Sequence, residues 1–254
     1  MPLPIFDLSD KTALITGGSK GLGKAMARGL ALAGADVFIS SRHEDELKTA
    51  LAAILEGTAR QGKYMVADMS QRADVRRLAD AATREFEHID ILINNAGTNI
   101  PEAIDEITDE NWNAVMEINL NSVMALTRAL VPAMKKRRWG RVIHISSIMG
   151  LVSAAGRNVY SATKSALIGM TRASALDLGP FGITVNCIAP GPFLTDLPMR
   201  LLSDEQKQQF TKMTALGRWG QPEELVGPVL LLASEAGSYI TGTTLVIDGG
   251  WCAR

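Results

Sequence analysis

The sequence predicts a single doubly wound α/β domain, with helices covering both faces of a parallel sheet. Three observations carry that expectation. Short apolar runs alternate with longer stretches of helical periodicity along the whole chain, the order of elements that builds parallel strands with helical crossovers. The first run, Lys11 to Thr16, leads straight into a glycine-rich loop and a helix. No linker, low-complexity tract or fixed-period repeat divides the 254 residues, so one domain over 1–254 is expected.

Hydrophobic residues make up 46% of the chain and charged residues 21%, enough apolar material for a large core and too much for a disordered chain. The net charge of −1 gives no general attraction to nucleic acid or anionic membrane. The first ten residues, MPLPIFDLSD, lack a basic segment and an apolar signal core, and no run approaches the roughly 18 apolar residues of a membrane span. A soluble cytoplasmic protein without nucleic-acid or membrane partners is expected. Cys187 and Cys252 form neither a disulfide framework nor a metal spacing, and His43, His88 and His144 show no ligand spacing, so no metal is expected.

After the strand at Lys11 to Thr16, the segment GGSKGLG precedes a helical stretch from Lys24 to Ala33. Gly17, Gly21 and Gly23 can supply a tight turn, close backbone approach to a pyrophosphate and close helix packing, with the helix N-terminus facing the phosphates. Ser19, Lys20 and Leu22 lie between them, and the whole loop is a candidate dinucleotide site. A second strand, Asp36 to Ser41, ends in Ser41 and Arg42 with no carboxylate until Glu44. An acid there would accept from a ribose 2′-hydroxyl, whereas an arginine suits a 2′-phosphate. Arg42, with Lys20 as a second cation, therefore favours NADP(H), while NAD(H) stays possible.

A helix over about Glu44 to Ala59 and a strand at Lys63 to Ala67 lead to Asp68 and Met69. Asp68 can serve a nucleotide or cap the helix beginning near Arg72. The strand Ile89 to Ile93 ends in Asn94, Asn95, Ala96 and Gly97, residues that suit either a nucleotide contact or a plain turn. Trp112, Met116, Asn119, Val123, Leu126 and Leu130 fall on one helical stripe, with Thr108 or Asp109 as its cap. Asn119 is the polar exception there, and a buried amide must find partners or cost about 1 to 3 kcal/mol.

Val142, Ile143 and Ile145 form a buried strand that gives way to a loop of small residues at Ser147. From Val159 the pattern is helical, so Tyr160 and Lys164 share a face. An ammonium beside a phenol favours phenolate and draws its pKa down from about 10, which suits proton transfer to or from an alcohol or carbonyl oxygen. The last third brings a strand at Gly182 to Ala189, then Pro190, Gly191, Phe193 and Thr195 after a sharp exit. A helix opened by Pro222 and a final strand at Thr244 to Ile247 complete the chain.

The spacing of Ser147, Tyr160 and Lys164, the T-G-x-x-x-G-x-G loop and N-N-A-G together resemble the short-chain dehydrogenase/reductases, and the resemblance covers essentially the whole chain. It implies a Rossmann fold of seven parallel strands in the order 3-2-1-4-5-6-7. It also implies a tetrad of Asn119, Ser147, Tyr160 and Lys164. In that scheme Ser147 polarises the substrate oxygen, Tyr160 is the acid or base, and Lys164 also holds the nicotinamide ribose. The backbone carbonyl of Asn119 holds a water leading to solvent. By the same resemblance Asp68 contacts the adenine, Asn95, Ala96 and Gly97 line the cofactor, and the Pro190 to Thr195 segment meets the nicotinamide carboxamide. A substrate lid at about 193–216 and a homotetramer follow from it too.

The implied activity is reversible hydride transfer between an alcohol and a ketone or aldehyde of a small-molecule substrate. Arg157 and Asn158, beside Tyr160, can hold a carboxylate or hydroxyls, and the G-R-W-G segment at 217–220 is similar to that of sugar-acid dehydrogenases. A sugar acid or polyol is the first substrate reading and a 3-oxoacyl thioester the second. A non-catalytic nucleotide sensor is the alternative of another class, opposed by the intact tetrad.

Overall fold

The computed structural model describes residues 3–195 and 203–253. Seven strands, all parallel, form one sheet: β1 (Thr12–Thr16), β2 (Asp36–Ser41), β3 (Gly62–Val66), β4 (Ile91–Asn94), β5 (Gly140–Ile145), β6 (Ile183–Pro190) and β7 (Thr244–Ile247). Their order is β3-β2-β1-β4-β5-β6-β7, the order expected. The chain winds outward from β1 to one edge and then from β4 to the other, so the strand ends part between β1 and β4. Open α/β sheets place ligands in such a crevice. Strands β1, β4, β5 and β6 are buried along their whole length, which is why they read as continuous apolar runs rather than alternating ones.

The helices cover both faces. On one side α1 (Gly21–Leu32), α2 (Glu44–Leu55) and α8 (Val226–Ala233) enclose a core built on Ile15, Ile39, Ile93 and Ile143. On the other, α3 (Arg72–Phe86), α4 (Asp109–Met116), α5 (Ser122–Arg137) and α6 (Asn158–Leu178) lie over the face that carries Leu14, Phe38, Leu92 and Val142. Residues adjacent in β1 and β4 thus feed opposite cores, as the two-residue period of a strand requires.

Several boundaries differ from expectation by a residue or two, and the helix expected from Pro222 opens as a 3-10 turn over Pro222–Leu225 before α8. Helix α1 begins at Gly21, because the second and third glycines form its first turn. Helix α2 stops at Leu55 instead of running to Ala59: Glu56 turns extended and Gly57 adopts a left-handed φ of +69°. The stretch 109–137 is not one uniform helix, since a π-helical turn over Glu117–Asn121 separates α4 from α5. The extra residue of that turn rotates the helix surface, so the expected stripe breaks: Trp112 is 36% exposed while Val123, Leu126 and Leu130 are buried.

In the expected lid, Leu197, Met199, Leu201 and Leu202 lie outside the described residues. Beyond them α7 (Asp204–Met213) is opened by a capping box between Ser203 and Gln206, and Phe210 packs on Trp219 and Trp251 at ring distances of 5.6 and 5.1 Å. Among the described residues no helix is long and apolar enough to cross a membrane.

Candidate active site

The carboxyl ends of β1 and β4 are laced together around the glycine loop. The Thr16 hydroxyl accepts from the backbone N–H groups of Asn95 and Ala96, both at 3.0 Å. In return the Asn95 amide donates to the carbonyls of Thr16 and Gly17, at 2.9 and 3.2 Å. Asn95 therefore shapes the loop from behind. Gly23 is required by contact, since a Cβ there would stand 2.2 Å from the Gly17 carbonyl oxygen; Gly17 and Gly21 are required by left-handed φ angles of +66° and +49°.

In front of this frame lies a cleft of about 450 Å³. Of the expected cofactor residues, Gly17, Ser19, Lys20, Ser41, Arg42, Asp68, Met69, Ala96 and Gly97 line it. Asp68 does not cap α3, whose N-cap is Gln71; one carboxylate oxygen accepts from the Ser70 N–H and fixes the turn at the cleft wall. Leu22 and Phe193 turn their side chains into the core, Phe193 against Gly220, and neither lines the cleft. Thr195 lies against Gly21, where a Cβ would stand 3.1 Å from its methyl, and this brings the segment after β6 to the glycine loop. Pro190 ends β6, and the Gly191 N–H donates to Ile247 at 2.9 Å.

The cleft suits a phosphorylated dinucleotide on three counts: a glycine cradle no side chain can enter, a free cation, and an unsatisfied hydroxyl. Arg42 is exposed at its rim and, among the described residues, pairs with no carboxylate. The Ser41 hydroxyl is buried without a hydrogen-bond partner. Lys20 departs from expectation, because its ammonium is held by Glu46 at 2.5 Å and so does not stand free beside Arg42. Glu46, His43, Thr98 and Ile118 also line the cleft, and sequence reasoning missed them. Thr98 and Ile118 adjoin N-N-A-G and Asn119, which is a signal of position; nothing in the sequence marks Glu46.

Gly97, on the cleft wall, lies against two of the four residues expected to form the tetrad. A Cβ on it would stand 3.4 Å from Asn119 Oδ1 and 3.5 Å from Lys164 Nζ. Asn119 sits in the π-helical turn, fully buried, with its amide clamped on Thr98: Oδ1 accepts from the Thr98 N–H at 2.8 Å, and Nδ2 donates to the Thr98 carbonyl at 2.9 Å and to the Thr163 hydroxyl at 3.2 Å. Both sides of the amide are thus satisfied. Ser147, at the end of β5, caps a short 3-10 turn by accepting from the Met149 N–H at 3.1 Å. The loop after it presses on α6, for a Cβ on Gly150 would meet the Lys164 carbonyl at 2.8 Å. That approach brings Ser147 beside the Tyr160 phenol.

The expected effect of Lys164 on Tyr160 does not hold in this structure. The ammonium is 5.6 Å from the ring centroid and donates to the Ile145 carbonyl at 2.8 Å, so it is drawn to the end of β5 and not to the phenol oxygen. Burial pushes the Tyr160 pKa up; the nearby Ser147 hydroxyl and the charge of Arg157 oppose that rise. Lys164 itself, 4% exposed, is lowered to about 8 by burial. Beneath it His144 is fully buried and lowered to about 4, by burial first and then by the Lys164 charge. Asn158 proves structural, its amide donating to the Glu102 carbonyl at 3.2 Å, whereas the Arg157 guanidinium makes no hydrogen bond or ion pair among the described residues. Arg218 is committed to a two-pronged pair with Glu224 at 2.7 and 2.6 Å. Both cysteines are free thiols, and no metal-binding group of side chains occurs among the described residues.

The family profile described as enoyl-(acyl carrier protein) reductase matches residues 17–252. The chain is 38% identical over 240 residues to 3-oxoacyl-(acyl-carrier-protein) reductase of Escherichia coli K12, covering 94% of this chain and 96% of that protein. It is 36% identical over 247 residues to gluconate 5-dehydrogenase of Gluconobacter oxydans 621H, covering 97% and 96%. The crystal structure of a gluconate 5-dehydrogenase from Burkholderia cenocepacia J2315 in complex with NADP and tartrate superposes with a TM-score of 0.92 at 35% identity, over 98% of each chain. With the strand order and the glycine cradle, these likenesses place the chain in the short-chain dehydrogenase/reductase family of oxidoreductases.

Proposed function

We propose that this chain catalyses NADP(H)-dependent, reversible oxidoreduction of a carboxylate-bearing polyol, a sugar acid, with Tyr160 as the acid or base. The nicotinamide nucleotide supplies the hydride in reduction and accepts it in oxidation. The residues would hold it as follows: the glycine loop and the N-terminus of α1 take the pyrophosphate, Ser41 and Arg42 the 2′-phosphate, Asp68 and Met69 the adenine, and Asn95 to Gly97 and the Pro190–Thr195 backbone the inner half. Ser147 hydrogen-bonds the substrate oxygen and Tyr160 exchanges a proton with it. A phenol raised by burial stays protonated through the neutral range, so the resting enzyme is set as a proton donor for carbonyl reduction. Lys164, with a pKa of about 8, lies across Gly97 from Asn119 and would return that proton from solvent.

The observation that carries the substrate class is Arg157. Its guanidinium is close enough to stabilise the Tyr160 phenolate, yet no carboxylate of the described residues neutralises it. A cation held beside the reacting oxygen selects a substrate with an anionic group near its carbonyl. The relatives named above include both a sugar-acid dehydrogenase and an acyl-carrier-protein reductase, and a panel separates them. Oxo-acids derived from sugars, neutral polyols and acetoacetyl thioesters would be assayed by NADPH oxidation, with Arg157→Met alongside. A charged hydrogen bond is worth about 1.5–3 kcal/mol, so Arg157→Met should lower kcat/KM for the sugar acid roughly 10- to 150-fold and leave neutral polyols unaffected. A thioester preferred over sugar acids and indifferent to Arg157 would overturn the substrate class.

The same reading takes the protein as a cytoplasmic homotetramer. The apolar side chains of Trp112 on α4 and Leu176 on α6, exposed at 36% and 81%, support subunit contacts through those helices; sedimentation equilibrium tests it.

A further inference from the structure

We propose that Glu46 sets how strongly this pocket selects for a nucleotide 2′-phosphate, by holding Lys20 and placing a negative charge in the cleft that Arg42 also lines. The inference rests on the NADP(H) reading and deepens it. The cleft is lined by the cations Lys20 and Arg42, by His43, and by the acids Glu46 and Asp68, and among the described residues Glu46 alone of the two acids pairs with a cation there. They belong to different elements. Lys20 is in the glycine loop, Arg42 follows β2, and Glu46 lies in the first turn of α2 and reaches back to the loop across 26 positions of sequence. A phosphomonoester there carries about −1.5 to −2 charges at pH 7. It meets Arg42 and the unpartnered Ser41 hydroxyl directly, but it gains Lys20 only by displacing Glu46 from a contact at 2.5 Å.

A nucleotide without the 2′-phosphate makes no such demand. Its ribose hydroxyl is neutral and leaves the Lys20–Glu46 pair intact. Glu46 therefore weakens binding of the phosphorylated nucleotide and leaves the unphosphorylated one untouched. The pair is not needed to hold the fold: its side chains are 47% and 32% exposed, and pairs of that kind contribute little stability. Lys20 and the N-terminus of α2 keep Glu46 ionised, Lys20 being the larger influence.

The test is calorimetric titration of the whole, nucleotide-free protein with 2′,5′-ADP and with 5′-ADP, for the wild type, Glu46→Gln and Glu46→Asp. Freeing Lys20 from an exposed pair should tighten 2′,5′-ADP by about two- to fivefold in Glu46→Gln. Binding of 5′-ADP should change less than about twofold, and Glu46→Asp, which keeps the charge, should behave as the wild type. Thermal unfolding of Glu46→Gln should match the wild type, so a lost fold cannot pass for a result. Unchanged 2′,5′-ADP binding in Glu46→Gln, while the wild type still prefers 2′,5′-ADP to 5′-ADP, overturns the role of Glu46 and leaves the NADP(H) reading standing. If no variant distinguishes the two nucleotides, the NADP(H) reading fails and this inference with it.

Discussion

His144 offers a quantitative test of how the interior beneath the site is built. Its ring is fully buried on β5, in register with Asn94 on β4 and Cys187 on β6. The Asn94 amide nitrogen can only donate, so at 3.1 Å it gives a hydrogen to Nδ1, and the neutral ring carries its proton on Nε2, which has no partner. A second proton would place a cation in the core beside the Lys164 ammonium, and the pKa falls accordingly from 6.5 to about 4. The sign is then fixed. Between those values the unfolded chain binds a proton that the folded chain refuses, so stability is lost as pH falls. Linkage with these two pKa values gives a loss of about 2 kcal/mol between pH 7 and pH 5, and about 3 kcal/mol by pH 4. His144→Gln keeps an acceptor for Asn94 and removes the titration. Urea unfolding of both proteins at pH 7 and pH 5 should show the wild type losing about 2 kcal/mol more than the variant, whatever their starting stabilities. Equal losses would mean that His144 is not held neutral by the core.

Two further outcomes follow from the cleft. Arg42→Asp should lower kcat/KM for NADPH by about 10- to 150-fold, the worth of a charged hydrogen bond to phosphate, while Lys20→Met costs less because Glu46 already engages that ammonium; steady-state kinetics with both nucleotides checks the ranking, and a larger loss in Lys20→Met would refute it. Gly23→Ala places a methyl 2.2 Å from the Gly17 carbonyl, so the loop must open. Overpacking of this kind costs about 1–3 kcal/mol, and thermal unfolding should show that loss together with a nucleotide Kd raised at least about tenfold.

Much of this was legible in the sequence because its signals are local and repeated. The central strands β1, β4, β5 and β6 are largely apolar and buried along their length, and the direction of winding follows from the crossover helices between the strands. The glycine loop was legible for the same reason: Gly17, Gly21 and Gly23 are needed by the backbone itself, whatever surrounds them. What the sequence did not disclose depends on where side chains meet across elements. Lys164 lies four residues from Tyr160, as the helix requires, but the Ile145 carbonyl attracts its ammonium, and no periodicity encodes that competition. Glu46 reaches Lys20 only because α2 starts where it does. The π-helical turn that buries Asn119 has no local signature, and a stripe drawn at regular helical spacing therefore carried Trp112 to the wrong side. Leu22 and Phe193 occupy motif positions, yet their side chains serve the core.

The claim on which the functional account turns is that the Tyr160 hydroxyl, beside Ser147 and above a buried Lys164, moves the proton in the reaction. Tyr160→Phe removes that oxygen and little else, and single-turnover NADPH oxidation with the preferred substrate measures its effect directly. Turnover should fall by at least about a hundredfold, the lower range for loss of a general acid, with NADPH still bound at wild-type affinity. Turnover near the wild-type rate in Tyr160→Phe would contradict that claim.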